Sequence, residues 1–231
     1  MPETPVTICF DLDGTLVNTA PDLLAALDHT LKANGHQPSI HAEILPIIGQ
    51  GAKAMLRRAL KIDTRSNQHG SVPAPDTEID RLWQSLIEHY TIHIADQSRP
   101  YPGVEAALSR LSSANYRLAV CTNKPMFLTS PLLEALGLNG FFHAIRGADS
   151  YPFKKPDPRH LIETVRSAGG HENKAVLIGD SATDVATGRA ATIPVIGVPF
   201  GYTETPMQSL APDALISHFD ELTDKLICEI L

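Results

Sequence analysis

Five short runs of apolar and β-branched residues are the feature of this sequence that most constrains its fold. Runs of this kind, apolar on both faces, are typical of strands in a parallel sheet, which is buried on both sides. Turn-forming residues and segments with one-sided helical spacing follow them. The pattern predicts an α/β fold with a doubly wound, mostly parallel sheet. The runs are residues 6–10, 116–122, 144–146, 175–179 and 194–198.

The segment between the first two predicted strands is too long to be a single crossover helix. It begins with a helical pattern in which three leucines share one face, and residues 79–94 contain a second, longer amphipathic pattern. A polar, proline-containing stretch at residues 63–77 predicts a surface loop between insert helices. We therefore predict a core and an inserted, small α-helical domain. The three leucines are Leu23, Leu27 and Leu31, the core is residues 1–17 and 98–231, and the insert is residues 18–97.

The charge of the chain excludes several classes of partner. Its 231 residues include 19 Lys and Arg against 26 Asp and Glu, for a formal net charge of −7. A protein of this sign repels phosphate polymers and anionic lipid, so we expect no nucleic-acid partner and no membrane partner. The sequence also gives no sign of a protein partner. A local basic pocket for one small anion remains compatible with this charge.

The cysteines and the first residues of the chain predict a cytoplasmic protein. Cys9, Cys121 and Cys228 are an odd number at wide spacing, which is neither a disulfide framework nor a paired metal or redox motif. The first residues lack the basic segment and long apolar core of a signal peptide. We therefore expect no export.

Two carboxylates follow the first predicted strand. Asp11 and Asp13 lie in the segment FDLDGTLV, residues 10–17, and alternation along an extended chain places both side chains on one side. Ligands of open α/β sheets bind at the carboxyl ends of the strands. Two carboxylates in one small volume are costly unless a cation or a shared proton offsets their repulsion. Alone, the segment also fits an ordinary turn that ends a strand.

Polar groups suited to one small anion and one hard cation follow three further strands. Thr122 and Asn123 offer a hydroxyl, an amide and backbone N–H groups where a helix is about to begin. Lys155 precedes another helix in a proline-stiffened stretch. Asp180 and Asp184 place two carboxylates at i and i+4 of a strand-to-helix turn. Each segment alone also fits a capping or surface role, but the ordered set behind buried strands predicts one site.

Taken in order, these motifs resemble those of the haloacid dehalogenase-like phosphohydrolases. The family also carries its cap domain where this chain has its helical insert. Asn18 is a departure, since aspartate is common at that position in such sequences. The motifs are residues 11–15 (DLDGT), 122–123 (TN), 155–156 (KP) and 179–184 (GDSATD). The flanks that look most like the phosphoglycolate phosphatases of the family are residues 11–22, 48–52 and 57–60.

The resemblance implies a phosphomonoesterase that depends on Mg²⁺ and forms an aspartyl-phosphate. Asp11 would be the nucleophile, and Asp13 would be the general acid toward the leaving oxygen and then the base that activates water. The substrate would be a small phosphorylated metabolite, with 2-phosphoglycolate giving glycolate and phosphate as the first choice. The same resemblance argues against dehalogenases and phosphonatases, which lack the acid/base aspartate found here at Asp13.

The resemblance also assigns the metal and phosphate ligands. Mg²⁺ would bridge Asp11 and the phosphate, with the main-chain carbonyl of Asp13 and the carboxylate of Asp180 as further ligands. Asp184 would either lie in the outer shell of the metal or orient the lysine. The transferring phosphoryl oxygens would be bound by Thr122, the backbone N–H of Asn123 and Lys155.

Two alternatives remain open from the sequence. The same chemistry could act on another small phosphate, such as a sugar phosphate or pyrophosphate, because a phosphoglucomutase-like relative shares every catalytic residue. The insert would then choose the substrate, with residues 49–51 and the helix after them as candidate specificity elements. A catalytically silent phosphate-binding module is the rival from another class.

His89 and His93 have the i, i+4 spacing of zinc ligands but lack the HExxH glutamate, so we interpret them as structural.

Overall fold

The structure, a computed structural model, describes residues 5–63 and 76–231 and divides into two compact units. One unit is formed by Met1–Asn18 and Arg99–Leu231, and the other by Thr19–Ser98. Most of the loop expected at residues 63–77, namely residues 64–75, lies outside the described residues. The other residues of that predicted loop, Asp63 at one end and Asp76 and Thr77 at the other, belong to helices instead.

Within the described residues, the strands are β1 (Thr7–Phe10), β2 (Val17–Asn18), β3 (Arg99–Pro100), β4 (Arg117–Cys121), β5 (Ala144–Arg146), β6 (Ala175–Gly179), β7 (Val195–Gly197) and β8 (Ala214–Leu215). Six of them form one parallel sheet in the first unit, in the order β5-β4-β1-β6-β7-β8. This confirms the predicted fold class, and each predicted strand is present to within one residue at either end. Sequence reasoning missed three strands of two residues each, β2, β3 and β8.

Strand β1 lies in the middle of this sheet, and its position decides where a site can form. Phe10, its last residue, pairs with Val120 of β4 on one side and with Ile178 of β6 on the other. Because the strands are parallel, their carboxyl ends meet at one edge of the sheet. The chain leaves β1 toward one neighbour and later returns on the other side, which is the switch point where open α/β sheets bind ligands.

The helices alternate with the strands in the first unit and fill the second. Helices α7 and α8 cover one face of the sheet, where the inward side chains of β1, β4 and β6 pack against them. The helices are α1 (Ala20–Ala33), α2 (His41–Ile44), α3 (Ala52–Asp63), α4 (Asp76–Ile92), α5 (Val104–Ser113), α6 (Met126–Ala135), α7 (Pro158–Ser167), α8 (Ala182–Ala191) and α9 (Asp224–Ile230). Short 3₁₀ segments are Leu45–Gln50, Asn139–Phe141, Glu172–Lys174, Met207–Leu210 and Phe219–Glu221.

The helical unit, residues 19–98, is built around the pair α1 and α4. The predicted leucine face of α1 is buried, and so are the apolar residues of α4 that repeat every three or four positions. The carboxylate of Asp22, in the first turn of α1, accepts hydrogen bonds from the N–H groups of Gln97 at 3.0 Å and Ser98 at 2.7 Å. This buried carboxylate therefore ties the end of the helical unit to its beginning.

The segments that lead into and out of the helical unit run side by side. β2 pairs antiparallel with β3, with Val17 opposite Pro100 and Asn18 opposite Arg99. Proline suits such an edge position because it needs no ladder hydrogen bond from its own nitrogen. None of the helices in the described part of the chain has the length and hydropathy of a membrane span.

Candidate active site

Asp11 is the first residue beyond β1 and is held by the sheet itself. Its N–H donates to the carbonyl of Ile178 at 2.9 Å, which continues the pairing of β1 with β6. Oδ1 of Asp11 accepts a hydrogen bond from the N–H of Leu12 at 2.7 Å and lies 3.0 Å from Nζ of Lys155. Within the described residues, Oδ2 accepts no hydrogen bond from protein. The side chain is 13% exposed, so Oδ2 is the oxygen that can meet a ligand.

Asp11, Asp180 and Asp184 form a compact carboxylate cluster at this edge of the sheet. One oxygen from each lies within 4.8 Å of the others, and all three residues are buried. Burial raises the pKa of Asp11 to about 6, and the nearby Asp184 adds to the rise, although Lys155 opposes it. Burial and the charges of Asp184 and Asp11 raise the pKa of Asp180 as well. Crowded, buried carboxylate oxygens are the donor set that a hard divalent cation such as Mg²⁺ prefers.

Asp180 is fixed by two loops of the same unit. Oδ1 accepts a hydrogen bond from the hydroxyl of Thr15 at 2.9 Å, and Oδ2 accepts one from the N–H of Tyr202 at 2.6 Å. A methyl group on Gly14 or on Gly201 would collide with Asp180. Gly14 also has a φ of +84°, a conformation that favours glycine. The loops after β1 and β7 therefore close around this carboxylate.

Asp184 lies in the first turn of α8 and uses both of its oxygens. Oδ2 accepts hydrogen bonds from the N–H and hydroxyl of Ser181, at 3.1 and 2.6 Å, as part of a capping box that starts the helix. Oδ1 lies 2.6 Å from Nζ of Lys155. Because each oxygen already has a partner, Asp184 is placed to orient the lysine.

Lys155 is a buried cation between two carboxylates. Its side chain is 1% exposed and contacts both Asp11 and Asp184. Although burial lowers the pKa of Lys155, the two carboxylates hold it well above its ordinary value, so the ammonium form is maintained. The backbone of Lys155 is fixed too, because the side-chain amide of Asn123 donates to its carbonyl at 2.9 Å.

Thr122 and Asn123 follow β4 and present hydrogen-bond donors at the same edge. The buried hydroxyl of Thr122 accepts from the N–H of Lys124 at 3.1 Å, which leaves its own proton available to an acceptor. Within the described residues, the N–H of Asn123 donates to no protein acceptor. These are the two groups that the sequence assigned to phosphoryl oxygens.

Asp13 pairs with a cation that the sequence reasoning did not assign. Nζ of Lys124 lies 3.1 Å from Oδ1 and 3.5 Å from Oδ2 of Asp13. The two side chains are 4% and 16% exposed. A signal was present in the sequence, since each residue stands three positions beyond the end of one of two adjacent parallel strands.

The sequence matches a known protein family over most of its length. The sequence profile described as "Haloacid dehalogenase-like hydrolase" matches residues 8–198. The chain belongs to this family. A phosphoglycolate phosphatase of Mesorhizobium japonicum is 47% identical over 95% of this chain and 93% of its own length. One of Agrobacterium fabrum is 44% identical over 97% of this chain and 93% of its own length.

A solved structure agrees over the same extent. The crystal structure titled "a predicted phosphoglycolate phosphatase from Haemophilus somnus" superposes with a TM-score of 0.86 at 28% identity, covering 96% of this chain and 98% of that one. The chain is thus an enzyme, a phosphatase of the haloacid dehalogenase-like family. Its parallel sheet with flanking helices is the fold that the resemblance of the sequence motifs implied.

The seven site residues predicted in this phosphatase fall into two contact groups. The first contains Asp11, Asp180, Asp184 and Lys155, and Asn123 joins it through the carbonyl of Lys155. In the second, Asp13 and Thr122 both contact Lys124. Sequence reasoning missed the supporting groups. Two of them, Thr15 and Ser181, lie inside the family motifs and could have been found there. The N–H of Tyr202 comes from a loop with no motif of its own.

His89 and His93, the histidines with i, i+4 spacing, belong to a stack of imidazole rings. His29 of α1 stacks on His89 with ring centroids 3.9 Å apart, and His93 follows at 4.4 Å. Among the described residues, the carboxylate cluster is the set of three ligating side chains whose donor atoms come within 4.8 Å of one another. The stacked rings are part of the packing of α1 against α4.

Proposed function

We propose that this phosphatase hydrolyses 2-phosphoglycolate to glycolate and phosphate, with Asp11 as the nucleophile and Mg²⁺ as the cofactor. The single observation that carries the mechanism is the state of the Asp11 carboxylate: Oδ1 is held by the buried ammonium of Lys155 and the N–H of Leu12, whereas Oδ2 accepts no hydrogen bond within the described residues. The same carboxylate belongs to a cluster with two further buried carboxylates. A carboxylate held on one oxygen and free on the other is placed to attack phosphorus. The substrate is supported by the names of the relatives that cover nearly the whole chain.

The reaction proceeds in two displacements. Oδ2 of Asp11 bonds to phosphorus while the ester P–O bond breaks, and Asp13 gives a proton to the leaving oxygen of glycolate. Water then attacks the aspartyl-phosphate, Asp13 takes a proton from that water, and phosphate leaves with the carboxylate of Asp11 restored. Dividing the hydrolysis into two steps matters because uncatalysed phosphate-monoester hydrolysis requires rate enhancements of up to about 10²¹.

The donors around Asp11 bind the transferring phosphoryl group. Lys155 neutralises charge on its oxygens, while the hydroxyl of Thr122 and the N–H of Asn123 donate to them. The lysine reaches this position because Asp184 holds its ammonium group and the Asn123 amide holds its carbonyl. Stabilisation of this kind costs no reorganisation during the reaction, since the groups are already oriented in the folded chain.

The carboxylate cluster fits a divalent metal. Asp11 and Asp180 would hold Mg²⁺ together with the main-chain carbonyl of Asp13, and Asp184 would orient Lys155. Bound Mg²⁺ supplies charge neutralisation, so that an anionic nucleophile can approach an anionic phosphate. The raised pKa values of Asp11 and Asp180 support this assignment, because a cation would relieve the repulsion that raises them.

The helical unit is the part of the chain that would select the substrate. The core residues described above suit any phosphate monoester, so the choice of leaving group requires other residues. The 3₁₀ segment Leu45–Gln50 ends at Gly51, which has a φ of +92°, and α3 begins directly after it. This turn and the start of α3 are our candidate specificity elements.

Phosphate release tests the proposal. With Mg²⁺ present, kcat/KM for 2-phosphoglycolate should exceed the values for several sugar phosphates, pyrophosphate and a mononucleotide at least tenfold, and EDTA should abolish release. Asp11→Asn should lose release and Asp220→Asn, an exposed matched control, should keep it. Mass spectrometry of the acid-quenched native protein should find a phosphoryl group on the peptide containing Asp11. A higher kcat/KM for another phosphate would show that 2-phosphoglycolate is not the preferred substrate. Full activity of Asp11→Asn would show that Asp11 is not the nucleophile.

A further inference from the structure

We propose that Lys124 is a positioning residue that holds the carboxylate of Asp13 in the orientation needed for proton transfer to and from the reacting oxygens. The inference rests on the proposed function, because it concerns the acid and base role given there to Asp13. It adds a residue that no part of that mechanism uses.

The geometry between the two side chains is that of a sheltered ion pair. Nζ of Lys124 lies within hydrogen-bond range of both oxygens of Asp13, at 3.1 and 3.5 Å. With exposures of 4% and 16%, the two groups are screened by water much less than a surface pair. An ammonium that contacts both oxygens restricts rotation of the carboxylate about its last bond.

The backbone of Lys124 is anchored on both sides of the residue. Its N–H donates to the hydroxyl of Thr122 at 3.1 Å, and its carbonyl accepts from the N–H of Ala148 and the hydroxyl of Thr129, each at 3.1 Å. These contacts fix the root of the side chain just beyond β4, and the ion pair with Asp13 then fixes its ammonium group.

Asp13 has a local reason to need such a partner. The chain turns directly after it, because Gly14 adopts a φ of +84° and donates from its N–H to the carbonyl of Val17 at 2.9 Å. The backbone of this turn is thus defined, and the carboxylate beyond it keeps 16% of its surface exposed. General acid–base catalysis requires the catalytic atom within hydrogen-bond reach of the proton, and misplacement by 1 Å can cost about 10²-fold.

A cation at this edge could instead act directly on the phosphate. The two roles predict that the loss of activity on replacing Lys124 depends differently on the leaving group. An alkyl leaving group such as glycolate needs a proton in the transition state, whereas p-nitrophenolate leaves without one. A lysine that acts through Asp13 therefore matters for the first substrate and little for the second, while a lysine that binds phosphate matters equally for both.

The experiment compares kcat/KM for 2-phosphoglycolate and p-nitrophenyl phosphate in four proteins: native, Lys124→Met, Asp13→Asn and the double variant. We expect Lys124→Met to lose about 10²-fold on 2-phosphoglycolate and less than about threefold on p-nitrophenyl phosphate. The double variant should be no slower on 2-phosphoglycolate than Asp13→Asn alone, because two residues that act through one group are not additive. Lys225→Met, which removes an exposed lysine of α9, should match the native protein on both substrates.

Equal losses on both substrates, or additive losses in the double variant, would overturn the inference and leave the proposed function standing. Absence of phosphate release by the native protein from either ester would refute the proposed function, and the role of Lys124 with it. Circular dichroism establishes that each variant is folded. If Lys124→Met does not fold, Lys124→Gln carries the same comparison, since it keeps a donor of similar length but removes the charge.

Discussion

The ammonium nitrogen of Lys155 lies 2.6 Å from Oδ1 of Asp184, and the two side chains are 1% and 0% exposed. Burying both charges is costly, and it is tolerated because each group is satisfied by further partners: Asp11 for the lysine, and Ser181 for the aspartate. The pair is thus an orienting device at the site rather than a simple source of stability.

Removing the lysine alone should therefore be strongly destabilising. Lys155→Met leaves Asp184 and Asp11 as buried anions without their cation, and we expect the free energy of unfolding to fall by about 3–5 kcal/mol. Urea denaturation measures this loss. Lys155→Met/Asp184→Asn should recover part of the stability, because asparagine removes one uncompensated charge and its amide oxygen can still accept from the N–H of Ser181, the N-cap of α8. A double variant that is less stable than the single one would contradict the pairing.

Asp180→Asn should have the opposite effect on stability when no divalent cation is present. Asp180 is buried among like charges that raise its pKa, so neutralising it relieves repulsion. An asparagine can keep both contacts, accepting from the N–H of Tyr202 and donating to the hydroxyl of Thr15. We expect unfolding free energy to rise on the order of 1 kcal/mol in EDTA.

The metal dependence of this variant is the companion measurement. Mg²⁺ should raise the melting temperature of the native protein, since a ligand that binds only the folded state stabilises it. Asp180→Asn should show little of that rise and little phosphate release. Equal stabilisation of both proteins by Mg²⁺ would remove Asp180 from the proposed ligand set.

The sheet and the main site residues were predictable because they depend on local sequence patterns. Buried parallel strands are continuous apolar runs, and the residue that follows each run must lie at the carboxyl edge. Asp11, Thr122 and Asp180 therefore come together from strand order alone once β1 is central. Spacing also placed the buried faces of α1 and α4, since each repeats its apolar residues with the helical period.

The groups that orient the site were harder to predict because they depend on tertiary contacts. The partner of Asp13 is Lys124, which lies 111 positions away. Their matching positions beyond β1 and β4 place the two residues at the same edge of the sheet, but which side chains contact each other there depends on the folded structure. The N–H of Tyr202 reaches Asp180 from a loop without regular structure. Short strands such as β2 and β8 have two residues each, too few for an alternation to be seen.

Gly201 is expected to be essential to the position of Asp180. A methyl group there would collide with the Asp180 side chain and with the carbonyl of Gly14, so one of them would have to shift. Gly201→Ala should therefore lower kcat/KM by about tenfold or more, by displacing the carboxylate. Gly140→Ala is the matched control, because a Cβ there meets no atom within 4 Å. The expectation fails if both variants retain native kcat/KM and native Mg²⁺ dependence.

His160 should make the stability of the protein depend on pH between neutrality and about pH 4. Its ring is fully buried in α7, where Nε2 lies 3.1 Å from the carbonyl of Gly147 and Nδ1 lies 3.7 Å from the sulfur of Cys121. Burial raises the pKa of the Cys121 thiol to about 12, so it stays protonated and can donate to Nδ1. The neutral ring, with a proton on Nε2, satisfies both contacts.

Burial, together with the charge of Lys155, lowers the pKa of His160 from 6.5 to about 4. The unfolded chain therefore binds this proton more tightly than the folded one, so the stability is complete above pH 6.5 and is lost as the pH falls toward 4. At pH 4.5 the loss due to this group should be about 2–3 kcal/mol. Urea unfolding at pH 7 and pH 4.5 measures it. Between pH 7 and pH 4.5, His160→Gln should lose less stability than the native protein by the amount due to this group. His171→Gln, an exposed control, should lose as much stability as the native protein. The same pH dependence in all three proteins would show that His160 is not the group that resists protonation.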